Sequence, residues 1–418
     1  MDRRLFLLSS LSAALPTFVG TSWAIAPPAK PKARVLVVGG GMAGATVAKY
    51  LRLWGDAVAV TLIERNPTYV SNILSSLVLT GQRTIPSLTF GYDTLRDRYG
   101  VQLVFDDVVD LDPVAVTVKL ASGAQLSADR VVIAPGIEFD AVPGLTDWNR
   151  MPHAWQAGPQ TTLLAQQLAA MPSNGVIALT VPKAPFRCPP GPYERACLIA
   201  DWLKEKKPQA KLIVLDANPD IVAEKENFSQ AFSRLYAKVI EYRAGVEISS
   251  VDTSQMTLST NGGLVRADVV NLIPPHRAGA IVAHVGLATA TEGRFAPVNV
   301  LSYASTMAPK VHIIGDSSAT AQPKAGHIAN QEAKVCADAL ARIFAGQQPD
   351  PAPVTNSACY STITRTEAGW LNAVFQYDPA AKAMTPVPNS SAASLGWSNA
   401  NFKEMGEWFE ALMADTFA

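Results

Sequence analysis

RVLVVGGGMAGATVAKYL, residues 34–51, decides the fold. Arg34 to Val38 is a short β-branched strand that runs into glycines 39, 41 and 44, spaced as GxGxxG, and these open an Ala-rich helix through about Trp54. Gly39 permits the tight turn, Gly41 lets the backbone approach a pyrophosphate, and Gly44 lets the helix pack closely on the strand. Val58 to Ile63 then forms a second strand ending in Glu64, where a carboxylate accepts hydrogen bonds from an adenosine ribose. GxGxxG alone is weak. Strand, glycine turn, helix, strand and acid in succession predict a dinucleotide site.

Two further stretches, Asp129 to Gly136 (DRVVIAPG) and Val311 to Asp316 (VHIIGD), are strands ending in glycine near a turn. FAD-binding proteins of the two-dinucleotide type have such pieces, which puts Gly315 and Asp316 at the ribityl and phosphate region. The competing reading of Asp316 is a turn or N-cap aspartate before the helix at 327–344. Met151 to Ile273 reads as an inserted α/β unit: helix Thr161 to Met171, strand Gly175 to Val181, helix Tyr193 to Lys206, strand Lys211 to Asp216. The turn after its first strand, VPKAPFRCPPGPYER (181–195), has one glycine and Pro189, Pro190 and Pro192 around Cys188. Proline offers no N–H to a pyrophosphate, so NAD(P)H is not expected here; the loop is expected to resist helix and to hold the sulfur in place. The predicted class is α/β, a two-dinucleotide-binding-domain flavoprotein of the glutathione-reductase type with a C-terminal α+β cap. Its parts are a FAD-binding domain (27–150 and 274–350), the second α/β domain (151–273) and a C-terminal domain (351–418). That last part carries Cys359, Trp370, Trp397 and a helix over Asn401 to Phe417.

Composition narrows the function. The 418 residues are 48% hydrophobic, and 35 basic residues balance 35 acidic ones, so no whole-chain field recruits nucleic acid or an anionic membrane. Residues 1–26 place Arg3-Arg4 before an apolar run and small residues at Ala24 and Ala26, a twin-arginine export signal that predicts a periplasmic location. No later stretch gives 18 uninterrupted apolar residues, so no stable membrane insertion is expected. The four cysteines include neither CxxC nor CxxCH, and the five histidines show no metal-ligand spacing, so no metal is expected. Cys197 and Cys336 read as core thiols.

GGGMAGATVAKYL (39–51), VVIAPGIEFD (131–140), PHAWQAG (152–158), APFRCPPGPYERA (184–196), VVNLIPPHRAG (269–279), VHIIGD (311–316) and CYSTI (359–363) occur in this order and spacing. Together they resemble the flavoprotein subunit of flavocytochrome c sulfide dehydrogenase, over essentially the whole chain after the signal. The flavoprotein of thiosulfate-oxidising gene clusters shares these motifs. The resemblance implies a redox-active disulfide between Cys188 and Cys359 beside the isoalloxazine of FAD, with Glu194 as the acid–base carboxylate. Hydrosulfide would attack one sulfur, Arg187 and Glu194 flanking it, and the persulfide is assigned to Cys188 because of its rigid loop. A purely structural disulfide, and Glu194 as an ordinary helix N-terminal carboxylate, are the competing readings.

Asn72, in TYVSNILSS (68–76), stands where the best-known members carry a cysteine bonded to the flavin; an amide cannot form that thioether, so FAD is expected to be noncovalent. With no haem motif in the chain, the implied acceptor is a separate c-type cytochrome. Two alternatives keep the motifs: a non-catalytic flavoprotein partner or reactivator of a sulfur-oxidising complex, and a quinone-reducing sulfide oxidoreductase. The quinone reading would want a membrane-contacting C-terminal helix, whereas residues 401–417 carry acids opposite their apolar side.

Overall fold

The structure, a computed structural model, describes residues 24–418; all but the last three residues of the expected export signal lie outside the described residues. In chain order, β1 (Ala33–Val38), α1 (Met42–Trp54), β2 (Val58–Glu64), β3 (Gln102–Phe105) and β4 (Arg130–Ile133) come first. The chain continues through α2 (Pro159–Ala170), β5 (Val176–Val181), α3 (Gly191–Lys206), β6 (Lys211–Asp216), β7 (Ile240–Ala244) and β8 (Val269–Asn271). Next come β9 (Val298–Asn299), β10 (Ala304–Ser305), β11 (Val311–Ile313) and α4 (Gly326–Phe344). The last elements are β12 (Val354–Thr362), β13 (Ala368–Asp378), β14 (Ala383–Pro386) and α5 (Asn399–Phe417).

The first sheet runs β9-β10-β11-β4-β1-β2-β3 and is parallel from β11 to β3, with Val38 beside Ile63 across β1 and β2. Near-continuous apolar strands such as Val35 to Val38 suit a sheet covered on both faces. On one face α1 packs against α4, burying Val47, Leu51, Ala333, Ala337 and Leu340. The second sheet, β7-β6-β5-β8, is wholly parallel. Both units therefore present the carboxyl ends of parallel strands, where nucleotides bind in open α/β sheets. Residues after 350 form an antiparallel sheet in which β12 is an edge strand, and α5 returns to the first unit through Met405, Phe409, Met413 and Phe417. No helix among the described residues is long and apolar enough to cross a membrane.

The proline loop departs from expectation. α3 begins at Gly191, with Pro190 as its N-cap and Pro192 in its first turn. First-turn N–H groups have no intrahelical acceptor, so proline loses nothing there, and its fixed φ is already helical. The stiffness expected of the loop is therefore continuous with the helix.

Candidate active site

One cavity of about 720 Å³ opens at the strand ends. Its wall takes Gly39 and Gly41 from the β1–α1 turn, Glu64 from the end of β2, and Gly315 and Asp316 from the turn after β11. Cys188 and Glu194 enter from the second unit and Cys359 from β12. Of the predicted site residues only Gly44 is off this wall. A Cβ there would lie 1.7 Å from the Gly39 carbonyl oxygen, so Gly44 serves the contact of α1 with the turn.

The parts fit a flavin dinucleotide. The N-terminus of α1 faces the cavity at Gly41, where an added Cβ would meet no protein atom nearer than Tyr69 Cε2, at 3.8 Å. Glu64 is aimed by two backbone donors, Gly40 N–H at 2.6 Å and Asn66 N–H at 3.0 Å. Asp316 Oδ1 is buried with no hydrogen-bond partner, and burial raises its carboxyl despite Arg187 and Lys324 nearby. An orphaned acceptor on a cavity wall calls for a hydroxyl donor such as a ribityl group supplies. The N-cap reading fails, because the N-cap of α4 is Ala325. Asn72 also lines the cavity, its Oδ1 accepting the Ala157 N–H at 2.8 Å, and the cysteines on the wall are Cys188 and Cys359.

Cys188 has φ +56°, a left-handed conformation for a residue with a Cβ, held from both sides. Its N–H donates to the Lys324 carbonyl at 2.7 Å, and its own carbonyl accepts the Gly191 N–H at 2.9 Å. Gly191 has to be glycine, since a Cβ there would come within 2.8 Å of the Cys188 sulfur. The Cys188 side chain adjoins Cys359 and pushes its thiol up. Both are free thiols in the structure, so the expected bridge is absent although its two ends meet.

Charge around the pair is lopsided. Arg187 and Arg195 both act on Cys188; Arg187 donates to the Trp155 carbonyl, and Arg195 to the carbonyls of His153 and Ala154 and the Asn271 side chain. Burial pulls both guanidinium groups down, Arg195 to about 9. Cys359 has the opposite company: the adjoining Cys188, its burial and the carboxylates of Glu224 and Glu194 all push its thiol well up. Glu194 takes the Thr362 hydroxyl at 2.8 Å and the Thr362 N–H at 3.2 Å on the open edge of β12. Burial raises the Glu194 carboxyl against those bonds and Arg195, and the surface it keeps faces the cavity rather than bulk water.

Three participants were missed in the sequence. Glu224 reaches the Cys359 strand from a loop that gives no motif. Lys324 gives Nζ to the Asp316 and Ser318 carbonyls at 2.9 and 2.7 Å, and Glu332 takes the Gly315 N–H at 2.6 Å. Burial pushes Lys324 down and Glu332 up. Glu332 had a signal: an acid on the buried face of a helix, between Ala329 and Ala333. No group of three or more potential metal ligands occurs among the described residues.

A parallel sheet with a cavity lined by glycine-turn and acid residues at its strand ends, a second parallel unit feeding a thiol into it and a cap feeding another define a flavoprotein of the two-dinucleotide oxidoreductase class. Residues 33–164 match the pyridine nucleotide-disulphide oxidoreductase family. Residues 161–274 match the central part of the sulfide dehydrogenase [flavocytochrome c] flavoprotein chain, and residues 351–417 the flavin-binding part of flavocytochrome c sulphide dehydrogenase. A stretch of 45 residues is 47% identical to the sulfide dehydrogenase flavoprotein chain of Chlorobaculum thiosulfatiphilum, covering 94% of that sequence and 11% of this one. The chain belongs to the flavocytochrome c sulfide dehydrogenase flavoprotein family, and its cofactor is FAD.

Other relatives overlap only in part. A probable ferredoxin reductase of Castellaniella defragrans is 38% identical over 25% of this chain and 26% of its own. The mouse mitochondrial sulfide:quinone oxidoreductase is 26% identical over 44% of this chain and 42% of its own. Among solved structures, the Aquifex aeolicus sulfide:quinone oxidoreductase superposes with TM-score 0.76 at 18% identity, covering 92% of this chain and 91% of that one. At that identity the likeness concerns the fold.

Proposed function

We propose that this protein is a periplasmic sulfide dehydrogenase that oxidises sulfide to polysulfide or sulfur through Cys188 and Cys359 and passes electrons to a c-type cytochrome. The observation that carries it is the meeting of these two thiols, 171 residues apart in the chain, on the wall of the FAD cavity beside Glu194.

In the oxidised protein the two sulfurs are joined. Hydrosulfide attacks Cys359; the disulfide breaks, Cys359 keeps a persulfide, and Cys188 leaves as a thiolate beside Arg187 and Arg195. Exchange favours the better leaving group, and positive charge favours a departing thiolate, so the persulfide belongs on Cys359 rather than on the rigid-loop cysteine. A second hydrosulfide attacks the outer sulfur, giving a hydrodisulfide anion and the Cys359 thiol. Closure of the disulfide from the Cys188 thiolate and the Cys359 thiol then releases two electrons and one proton. FAD, when bound, supplies the sink for that electron pair. Glu194, held at the edge of β12, is the carboxylate placed to exchange protons with the sulfurs.

The cytochrome reading follows from the family's own name, and the Arg3-Arg4 signal supports the periplasm. A quinone acceptor is the second reading, favoured by the fold shared with the Aquifex enzyme. Against it, α5 spends its apolar side inside the protein, and its exposed side carries Glu404, Glu407 and Glu410. Anaerobic mixing with sulfide should bleach the flavin, and added cytochrome c should be reduced as the colour returns. No bleaching would overturn the reading; bleaching relieved by a soluble quinone but not by cytochrome c would replace the acceptor. A flavin that bleaches yet reduces neither would mark a non-catalytic partner.

A further inference from the structure

Glu224 lies outside the cavity wall, at the start of the short helix Lys225–Gln230, and holds the strand that carries Cys359. Its backbone has φ +48°, a left-handed conformation for a side-chain-bearing residue, so the loop sets it there against local preference. One carboxylate oxygen, Oε1, accepts the Ser361 hydroxyl at 2.5 Å. Ser361 lies two residues beyond Cys359 in β12, and alternate residues of a strand share a face. The other oxygen, Oε2, is buried with no hydrogen-bond partner; Asn227 lies alongside and favours the charged form without completing a bond. The adjacent lysine does not neutralise it, since Lys225 pairs with Asp220 at 2.7 Å.

A buried carboxylate with one unsatisfied oxygen is expensive to keep for structure alone, because a serine–glutamine pair would hold the same strand without the charge. Its surroundings give that charge a purpose. Cys359, Cys197 and Glu194 are the titratable groups that feel Glu224, Cys197 and Glu194 from α3 and Cys359 from β12. Arg187 and Arg195 both interact with Cys188, and Arg195 also with Glu194. The carboxylates of Glu224 and Glu194 both bear on the Cys359 thiol, which they push up.

We propose that Glu224 is a positioning residue that biases the thiol pair: as a carboxylate it keeps the proton on Cys359, making that sulfur the less nucleophilic of the two. The bias fixes the polarity of the exchange, which rests on reading the pair as the redox centre. It also makes that polarity depend on pH. Burial raises the Glu224 carboxyl to about 7, so the bias is present above neutrality and withdrawn below it, where the group is neutral.

The test reads the charge on each sulfur directly. The reduced, FAD-loaded protein is pulse-alkylated with iodoacetamide between pH 6 and 9, and the ratio of label on Cys188 to label on Cys359 is measured by peptide mass spectrometry. The natural protein should favour Cys188, with an inflection of the ratio near pH 7. Glu224→Gln, which keeps the shape and one acceptor oxygen, should lower the ratio about tenfold above pH 7 and abolish the inflection; Glu224→Asp should restore much of both. A ratio without an inflection in the natural protein, or an unchanged profile in Glu224→Gln, overturns the proposal. Should the glutamine protein fail to fold, the natural protein's own inflection still decides. The labelling requires no turnover, so a flavin that sulfide cannot bleach would sink the proposed activity while leaving this result standing.

Discussion

The phosphate cradle is open to a paired substitution, Gly41→Ala against Gly44→Ala. At Gly41 the methyl meets no protein atom within 3.8 Å, and φ −72° with ψ −165° is extended backbone open to any residue. The apoprotein should therefore keep its stability to within about 1 kcal/mol, the cost of a poorer N-cap. The methyl instead fills the space through which a pyrophosphate reaches the α1 N-terminus. Pushing the phosphate outward weakens its bonds to the first-turn N–H groups; losing two such bonds, at about 1.5 kcal/mol each, predicts roughly a hundredfold weaker FAD binding. At Gly44 the sign of the experiment reverses. The 1.7 Å approach to the Gly39 carbonyl must open to roughly 3.2 Å, which lifts α1 from the turn and disturbs its packing on α4; overpacking of this kind costs about 3 kcal/mol or more in the apoprotein itself. Calorimetric FAD titration and thermal unfolding of the two apoproteins separate the effects. If Gly41→Ala binds FAD as tightly as the natural protein, the α1 N-terminus is not the phosphate site and the cavity assignment is wrong.

Cys188→Ser and Cys359→Ser should each retain yellow FAD but lose sulfide-driven bleaching by at least a hundredfold; unimpaired bleaching in either would refute the active pair. Acid precipitation should release FAD into the supernatant, because Asn72 offers no thioether; colour that pellets with the protein would contradict this. Glu224 makes stability pH-dependent: its carboxyl is raised to about 7 in the folded protein, so the stability present below its unfolded value is lost as pH rises through 7. The full shift corresponds to about 3 kcal/mol and partial exposure reduces it to ~1–2. Chemical denaturation at pH 5 and pH 8 should show that difference narrowing in Glu224→Gln, and an equal difference in both proteins would remove the charge from the account.

What the residues disclosed unaided was whatever the local backbone demands. Gly39, Gly41, Gly44 and Glu64 lie where the strand, turn and helix require them, and β1, α1, β2, β5 and β6 fall within two residues of expectation. α3 starts at Gly191, two residues before the expected Tyr193, because a first helical turn tolerates the prolines that would break its interior. The convergence of Cys188 with Cys359 came from the resemblance, since no spacing rule joins positions so far apart. Glu224 and Lys324 take their roles from contacts between distant segments: the Ser361 hydroxyl and the Cys188 N–H. Such partners leave no periodicity. The left-handed turn at Cys188 was equally hidden, because it is stabilised by Lys324 and by the missing Cβ of Gly191.

The strand ends of the second unit bear on the expectation that NAD(P)H does not bind there. Asp216 closes β6 as Glu64 closes β2, so it occupies the place from which a ribose would be held. Its carboxylate is already spent within the protein: Oδ2 takes the Tyr193 and Tyr242 hydroxyls at 2.7 and 2.8 Å, and Oδ1 takes the Asn218 N–H and side-chain amide, both at 2.8 Å. Tyr193 belongs to the first turn of α3, immediately after the prolines. Two independent features therefore oppose NADH, a loop whose N–H groups at Arg187, Cys188 and Gly191 are already bonded within the protein and are interrupted by prolines, and an acid without a free lone pair. Replacing Pro189, Pro190 and Pro192 with glycine should not produce NADH binding, since the ribose would still face a saturated carboxylate, and breaking either tyrosine bond would strand a buried charge at a cost of about 1–3 kcal/mol. Flavin reduction by NADH in the triple variant would show that the loop alone was the barrier and that Asp216 remains available.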